Sequence, residues 1–157
     1  MGKKLKSLDE IGPALEEFGR DVLSAAILET DGRIKEASPV DTGRFRNSWM
    51  IGENSNSGKP APPGDYGANM PAPVTINYQL GNEQLGNEYS IHNNLEYAEP
   101  VAYGTNLPPS WGGEYKVGNL NLDPPRNRGV VPGFPDLIAK EMQAFVDEKI
   151  REFRRKY

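Results

Sequence analysis

The stretch SPVDTGRFRNSW, Ser38 to Trp49, contains Asp41-Thr42-Gly43, the tripeptide that carries the catalytic carboxylate of aspartic proteases. That chemistry places two carboxylates around one shared proton in a low-dielectric cleft, where proximity drives their pKa values apart. The flanks of such a site are apolar strand. Here RIKEASPV precedes the tripeptide and RFRNS follows it, so Arg44 and Arg46 would set the carboxylate in a wet, cationic environment. No second DTG or DSG is present, and only a homodimer could complete the pair. The competing role is architectural. Asp41 would cap a turn by accepting the amide of Gly43 or Arg44, Thr42 and Gly43 would complete that turn, and Phe45 and Trp49 would be aimed inward.

The other residues able to do chemistry give less. His92 is the only histidine, so any triad or dyad would have to use it, and it falls in the polar phase of an expected strand, facing solvent. No tight Asp/Glu spacing of the EF-hand kind occurs, and neither a P-loop nor GxGxxG is present. With no cysteine there is no thiolate nucleophile, disulfide or Cys-based zinc site. The expectation is no catalytic residue, no cofactor and no metal. WGGEYKVG, Trp111 to Gly118, could offer an aromatic platform, but a loop anchored by its tryptophan is the commoner use of such a sequence.

Two amphipathic helices bracket the segments that would hold these residues. Leu8, Ile11, Leu15, Phe18 and Val22 recur at spacings of three and four, which predicts a long helix from about Pro13 to Ala37, stopped where Pro39 forces Ser38 out of helical geometry. The last element opens at Pro135 and carries Leu137, Ile138, Met142, Phe145, Val146, Ile150 and Phe153 along one side. Its terminal Arg151, Arg154, Arg155 and Lys156 complement the helix macrodipole. Phe18, Val22, Phe145 and Ile150 are expected to face a core with Phe45 and Trp49.

Between the helices the period changes to two. Val74, Ile76, Tyr78 and Leu80 alternate, as do Tyr89 and Ile91 with Leu95 after them, and the near-repeat LGNEQLGNE between these runs predicts a hairpin. FRNSWMIGE supplies a third strand. The fold class is therefore α+β, a small antiparallel sheet packed by a long N-terminal and a C-terminal helix, in one domain spanning 1–157. The chain has 17 glycines and 14 prolines, most of them in Gly52 to Pro73 and Gly104 to Gly133. Loops this long are usually functional or ordered by partners, which makes Pro60, Tyr66, Trp111, Tyr115, Arg126 and Arg128 candidate docking residues.

Charge and the N-terminus narrow the class further. A formal charge of −4 argues against a whole-surface nucleic-acid binder, which needs clustered Lys and Arg to release counterions. MGKKLKSLDE is basic but runs into charge, so neither a secretory signal nor a membrane anchor is expected, and Lys6 stands where a myristoylation signal needs Ser or Thr. A soluble cytosolic product is the expectation.

The order of these signals is a helix ending in Pro39-Val40-Asp41-Thr42-Gly43, then Phe45 to Ser48, strands, Tyr97-Ala98, Tyr103-Gly104-Thr105, Pro132 to Phe134 and a final helix. It resembles the small tail-completion or neck proteins of tailed bacteriophages, across nearly the whole chain. Ala102 departs from that pattern, which often has Glu before the aromatic-Gly, and both loops are longer. The resemblance implies a structural virion protein of the neck or tail and not an enzyme. It implies a homo-oligomeric, hexameric ring of tail-terminator or tail-completion type that joins the tail tube to the head connector and contacts neighbouring neck and tail-tube proteins. DNA would pass through its lumen without sequence-specific binding, and no membrane would be involved. A head-closure or adaptor ring of the same neck is the near alternative, and a homodimeric DTG aspartic protease acting during assembly is the alternative from another class.

Overall fold

The structure, a computed structural model, describes residues 11–40, 42–67, 69–104 and 132–155. Helix α1 (Ile11–Ala37) is followed by a single-turn helix α2 (Arg44–Asn47) and strand β1 (Trp49–Glu53). Next come β2 (Thr75–Ile76), β3 (Tyr89–Asn93), a short helix α3 (Ala98–Tyr103) and helix α4 (Phe134–Arg154). The architecture is the expected α+β, with a three-stranded sheet between a long N-terminal and a C-terminal helix.

Helix α1 ends where the sequence predicts. Ser38 turns its hydroxyl back to the Ile34 carbonyl at 2.7 Å and its amide to Lys35 at 3.2 Å, closing the last turn before Pro39. α1 and α4 run antiparallel: Phe18 meets Phe153 edge-on at 6.5 Å near one end, and Arg33 reaches Glu141 at 3.3 Å near the other. α4 ends level with Phe18, so the first turns of α1 extend past it. Leu15, on the predicted apolar stripe, is accordingly 64% exposed.

The core is built from Ile34 of α1, Phe45, Trp49, Leu95, Val101 and Ala102, closed by Phe134, Ile138 and Met142 of α4. Phe45 and Trp49 meet edge to face at 5.6 Å. Phe145 packs against the edge of this cluster under the cationic groups of Arg33 and Lys149, at 5.6 and 5.4 Å from its ring. Phe18, Val22 and Ile150 are half-buried.

The sheet departs from the predicted hairpin. Strand order is β2-β1-β3, so β1 lies in the centre, paired parallel to β2 and antiparallel to β3, while β2 and β3 do not touch. Trp49, Met50 and Ile51 are buried in succession, as befits a strand covered on both faces. β2 stops at Ile76 because Asn77 takes φ 69°, a left-handed conformation that ends extension. The near-repeat makes two separate turns. Asn82 N–H bonds the Gln79 carbonyl and Asn87 N–H that of Gln84, with Gly81 and Gly86 at φ 93° in the third position, as a type II turn requires.

Candidate functional site

The segment that raised the protease question is a structural junction. Gly43 occupies the position before α2, at φ 85°. The Arg44 amide bonds Thr42 Oγ1 at 3.3 Å. Asp41 itself lies outside the described residues. The Gly43 carbonyl accepts both the Asn47 backbone amide (2.9 Å) and its side-chain Nδ2 (2.8 Å), fixing the turn from its far side.

Each following side chain ties the turn to another part of the molecule. Arg44 Nε donates to the Ala61 carbonyl at 2.8 Å, and Arg46 Nε to the Lys35 carbonyl at the end of α1 at 2.9 Å. The two guanidinium groups thus serve backbone carbonyls. Ser48, 1% exposed, donates to the Arg44 carbonyl at 2.7 Å and accepts the Ala61 amide at 3.0 Å. Trp49 Nε1 donates to Ser38 Oγ at 2.8 Å, so a buried relay runs from the indole through Ser38 to the Ile34 carbonyl. Asn93 Nδ2 closes the arrangement from β3 on the Phe45 carbonyl at 2.9 Å.

The loop after β1 is held by the same junction, unlike the partner-ordered loop expected from its composition. Besides the bonds to Ala61, the Tyr66 amide bonds the Thr42 carbonyl at 2.6 Å, and the Tyr66 hydroxyl bonds the Pro62 carbonyl. From the sheet side, His92 Nε2 donates to the Ser57 carbonyl at 2.8 Å, and Asn94 Nδ2 reaches the carbonyls of Asn56 and Gly58 at 3.0 and 2.9 Å. His92 is therefore half-buried and strapped to the loop instead of facing solvent. Of the candidate docking residues, Pro60 and Tyr66 are half-buried in this strapped loop. Trp111, Tyr115, Arg126 and Arg128 lie outside the described residues.

A polar constellation that the apolar stripe of α1 conceals lies beside the junction. Asp31 and Lys35, one helical turn apart, form a buried ion pair at 2.7 Å, with side chains 4% and 1% exposed. Lys35 Nζ also donates to the Ala72 carbonyl at 3.3 Å, which pins the approach to β2. Burial raises the Asp31 carboxyl above its usual range even though Lys35 opposes it. Tyr78, edge-on to Tyr89 at 5.2 Å, is pushed up to about 12, first by burial and then by Glu83. Tyr89 donates its hydroxyl to Glu53 Oε2 at 2.6 Å and accepts the Gln84 amide, so the turn segment is anchored to β1. The sequence signal for the ion pair was its i,i+4 spacing on the face that carries Ile27 and Ile34.

No group of three or more His, Cys, Asp or Glu able to hold a metal occurs among the described residues. None of the described helices is long and apolar enough to cross a membrane. What this arrangement does is join the end of α1, the turn, the long loop and both faces of β1. The family model described as "Bacteriophage HK97-gp10, putative tail-component" matches residues 1–104, from the N-terminus through α3. The chain belongs to this HK97-gp10-like family of bacteriophage tail components. No curated protein and no solved structure matches the chain. The family match contains the whole junction, from Ser38 to Trp49, and the loop it holds.

Proposed function

We propose that this tail component is a structural subunit of the phage neck, of tail-terminator or tail-completion type, working as a homo-hexameric ring between the tail tube and the head connector. The observation that carries this reading is the junction: in a family of tail components, the one segment with the composition of a catalytic motif has its described polar side chains bonded to backbone. A subunit that acts by shape needs such a rigid centre from which surfaces can be presented to neighbouring virion proteins. The chain is net acidic, with a formal charge of −4, which suits a channel through which DNA passes without being gripped. The whole chain is one unit in this reading, since α4 completes the core that the N-terminal elements begin.

Mass photometry of the purified full chain tests the assembly, and reconstruction of the phage particle tests the location. A hexamer-sized species and density at the neck are expected. A monomer at all micromolar concentrations, together with density elsewhere or none, would overturn the reading. Asp41→Ala separates it from the homodimeric protease: the variant should fold and assemble normally, and loss of a peptide-cleaving activity would establish the enzyme instead.

A further inference from the structure

The two edges of the sheet differ. Ile51 N–H points to β2, where it bonds the Val74 carbonyl at 2.8 Å, so in the β1–β3 register it is Met50 and Gly52 that bond His92 and Ser90. The backbone N–H and C=O groups of Tyr89, Ile91 and Asn93 consequently point away from β1, along the outer edge of β3. This edge is five residues long and contains neither proline nor charge, the usual devices that blunt an exposed strand. The β2 edge has such a device: two strand residues only, approached through Pro71 and Pro73, which lack N–H, and ended by Asn77 at φ 69°.

A groove of about 470 Å³ opens beside the β3 edge, which no described residue pairs on its outer side. Leu23 and Ile27 of α1, Tyr89 and Ile91 of β3, and Met142 and Val146 of α4 line it. Among the described residues no charged side chain and no residue of β1 or β2 takes part, which places the groove on the β3 side of the sheet. Outward backbone donors and acceptors call for an extended chain, and the adjoining apolar wall calls for apolar side chains at every second position of that chain.

We infer that the β3 edge and its groove accept an extended, uncharged segment of a different polypeptide as a fourth strand, with apolar side chains at alternate positions filling the groove. A second copy of this chain fits poorly. Its β2 edge is blocked by the prolines, and its own Tyr89 and Ile91 already lie under its own α1 and α4. The inference does not depend on the ring: mass photometry tests the ring, and the following experiment tests the edge.

Isotope-labelled full chain is titrated with a peptide of alternating threonine and valine flanked by lysines, and amide exchange is followed residue by residue. The amides of Tyr89, Ile91 and Asn93 should slow by about tenfold or more, whereas those of Ser90 and His92, already bonded to β1, should change little. The same peptide N-methylated along one edge should lose the effect. Ala139→Arg, an exposed position on the α4 wall of the groove, should lose it in a chain that keeps its circular dichroism spectrum, and Val146→Gln serves if that variant does not fold. No slowing at millimolar peptide, or equal slowing with the N-methylated peptide, overturns the inference. So does protection of these amides that rises with the protein's own concentration in the absence of peptide, because the occupant would then be a second copy.

Discussion

Replacing Gly43 with alanine separates backbone strain from contact at the junction. Gly43 is held at φ 85°, where a residue with a Cβ costs about 1–2 kcal/mol. The added Cβ would also lie 2.7 Å from the Gly67 carbonyl oxygen and 3.1 Å from Tyr66 Cβ, closer than packed atoms tolerate. Both neighbours belong to the strapped loop, and relieving the overlap pulls that loop off the Tyr66 N–H to Thr42 carbonyl bond, worth roughly 0.5–1.5 kcal/mol net. The two terms together predict a loss of roughly 1.5–3.5 kcal/mol. Gly81 is the control: it has φ 93° and no heavy atom within 4 Å of its added Cβ, so Gly81→Ala carries strain alone, about 1–2 kcal/mol. Urea denaturation of both variants, with slopes compared as well as midpoints, reads the difference. Equal losses would refute the docking of the loop on the turn, because only Gly43 has a loop to displace.

Ser38→Ala leaves the Trp49 indole N–H buried without its acceptor, and thermal unfolding should show a loss of about 1–3 kcal/mol that Ser38→Thr partly restores. Asp31→Ala or Lys35→Ala alone strands a buried charge, at about 3–5 kcal/mol each, whereas the combined Asp31→Leu and Lys35→Met chain should fall within about 1 kcal/mol of the parent in the same assay. The Tyr78 hydroxyl is buried without a hydrogen-bond partner among the described residues, so Tyr78→Phe should be neutral or stabilising by up to about 1 kcal/mol at pH 7. That variant should also flatten the alkaline limb. The folded hydroxyl titrates near 12 and the unfolded one near 10, so between those values only the unfolded chain has lost the proton, and stability falls as pH rises until both have ionised. A parent and variant with the same slope over that interval would show that Tyr78 is not protected by the fold.

The two long helices were legible because their signals are local, whereas α2, which overlaps the stretch FRNSWMIGE read as strand, and α3 were not. Spacings of three and four, Pro13 near the start of α1, Ser38-Pro39 at its end and Pro135 opening α4 each act on their own turn. The sheet order was not legible, because it is decided between segments far apart in sequence. Val74 to Leu80 and Tyr89 to Ile91 have the alternation of hairpin partners, yet Asn77 breaks the first run and each Leu-Gly-Asn closes a turn of its own. β1 then takes the central place because Trp49, Met50 and Ile51 can be buried without alternation, a property visible in the sequence but silent about its neighbours. At the junction, the sequence pointed to a turn around Gly43, and the structure has that turn, with Thr42 Oγ1 accepting the Arg44 amide, while the capping role read for Asp41 lies outside the described residues. Composition also misled for the loop after β1, where backbone carbonyls gripped by Arg44, His92 and Asn94 replace the apolar contacts it lacks.

The extent of the family match bears on how the junction is kept rigid. The match ends at residue 104, with α3, yet the core that Phe45 and Trp49 enter is closed by Phe134, Ile138 and Met142, all on α4. A chain ending at Gly104 would retain every hydrogen bond from Thr42 to Asn93 while exposing the apolar face of α1 that α4 covers. Each truncated core side chain of this size costs about 2–5 kcal/mol, so losing three together is comparable to the whole stability of a small domain. The matched segment therefore supplies most of the core but not the side chains that close it, and the Gly133 amide, bonded to the Ala102 carbonyl at 2.9 Å, is one point where the closing helix is fastened to that segment.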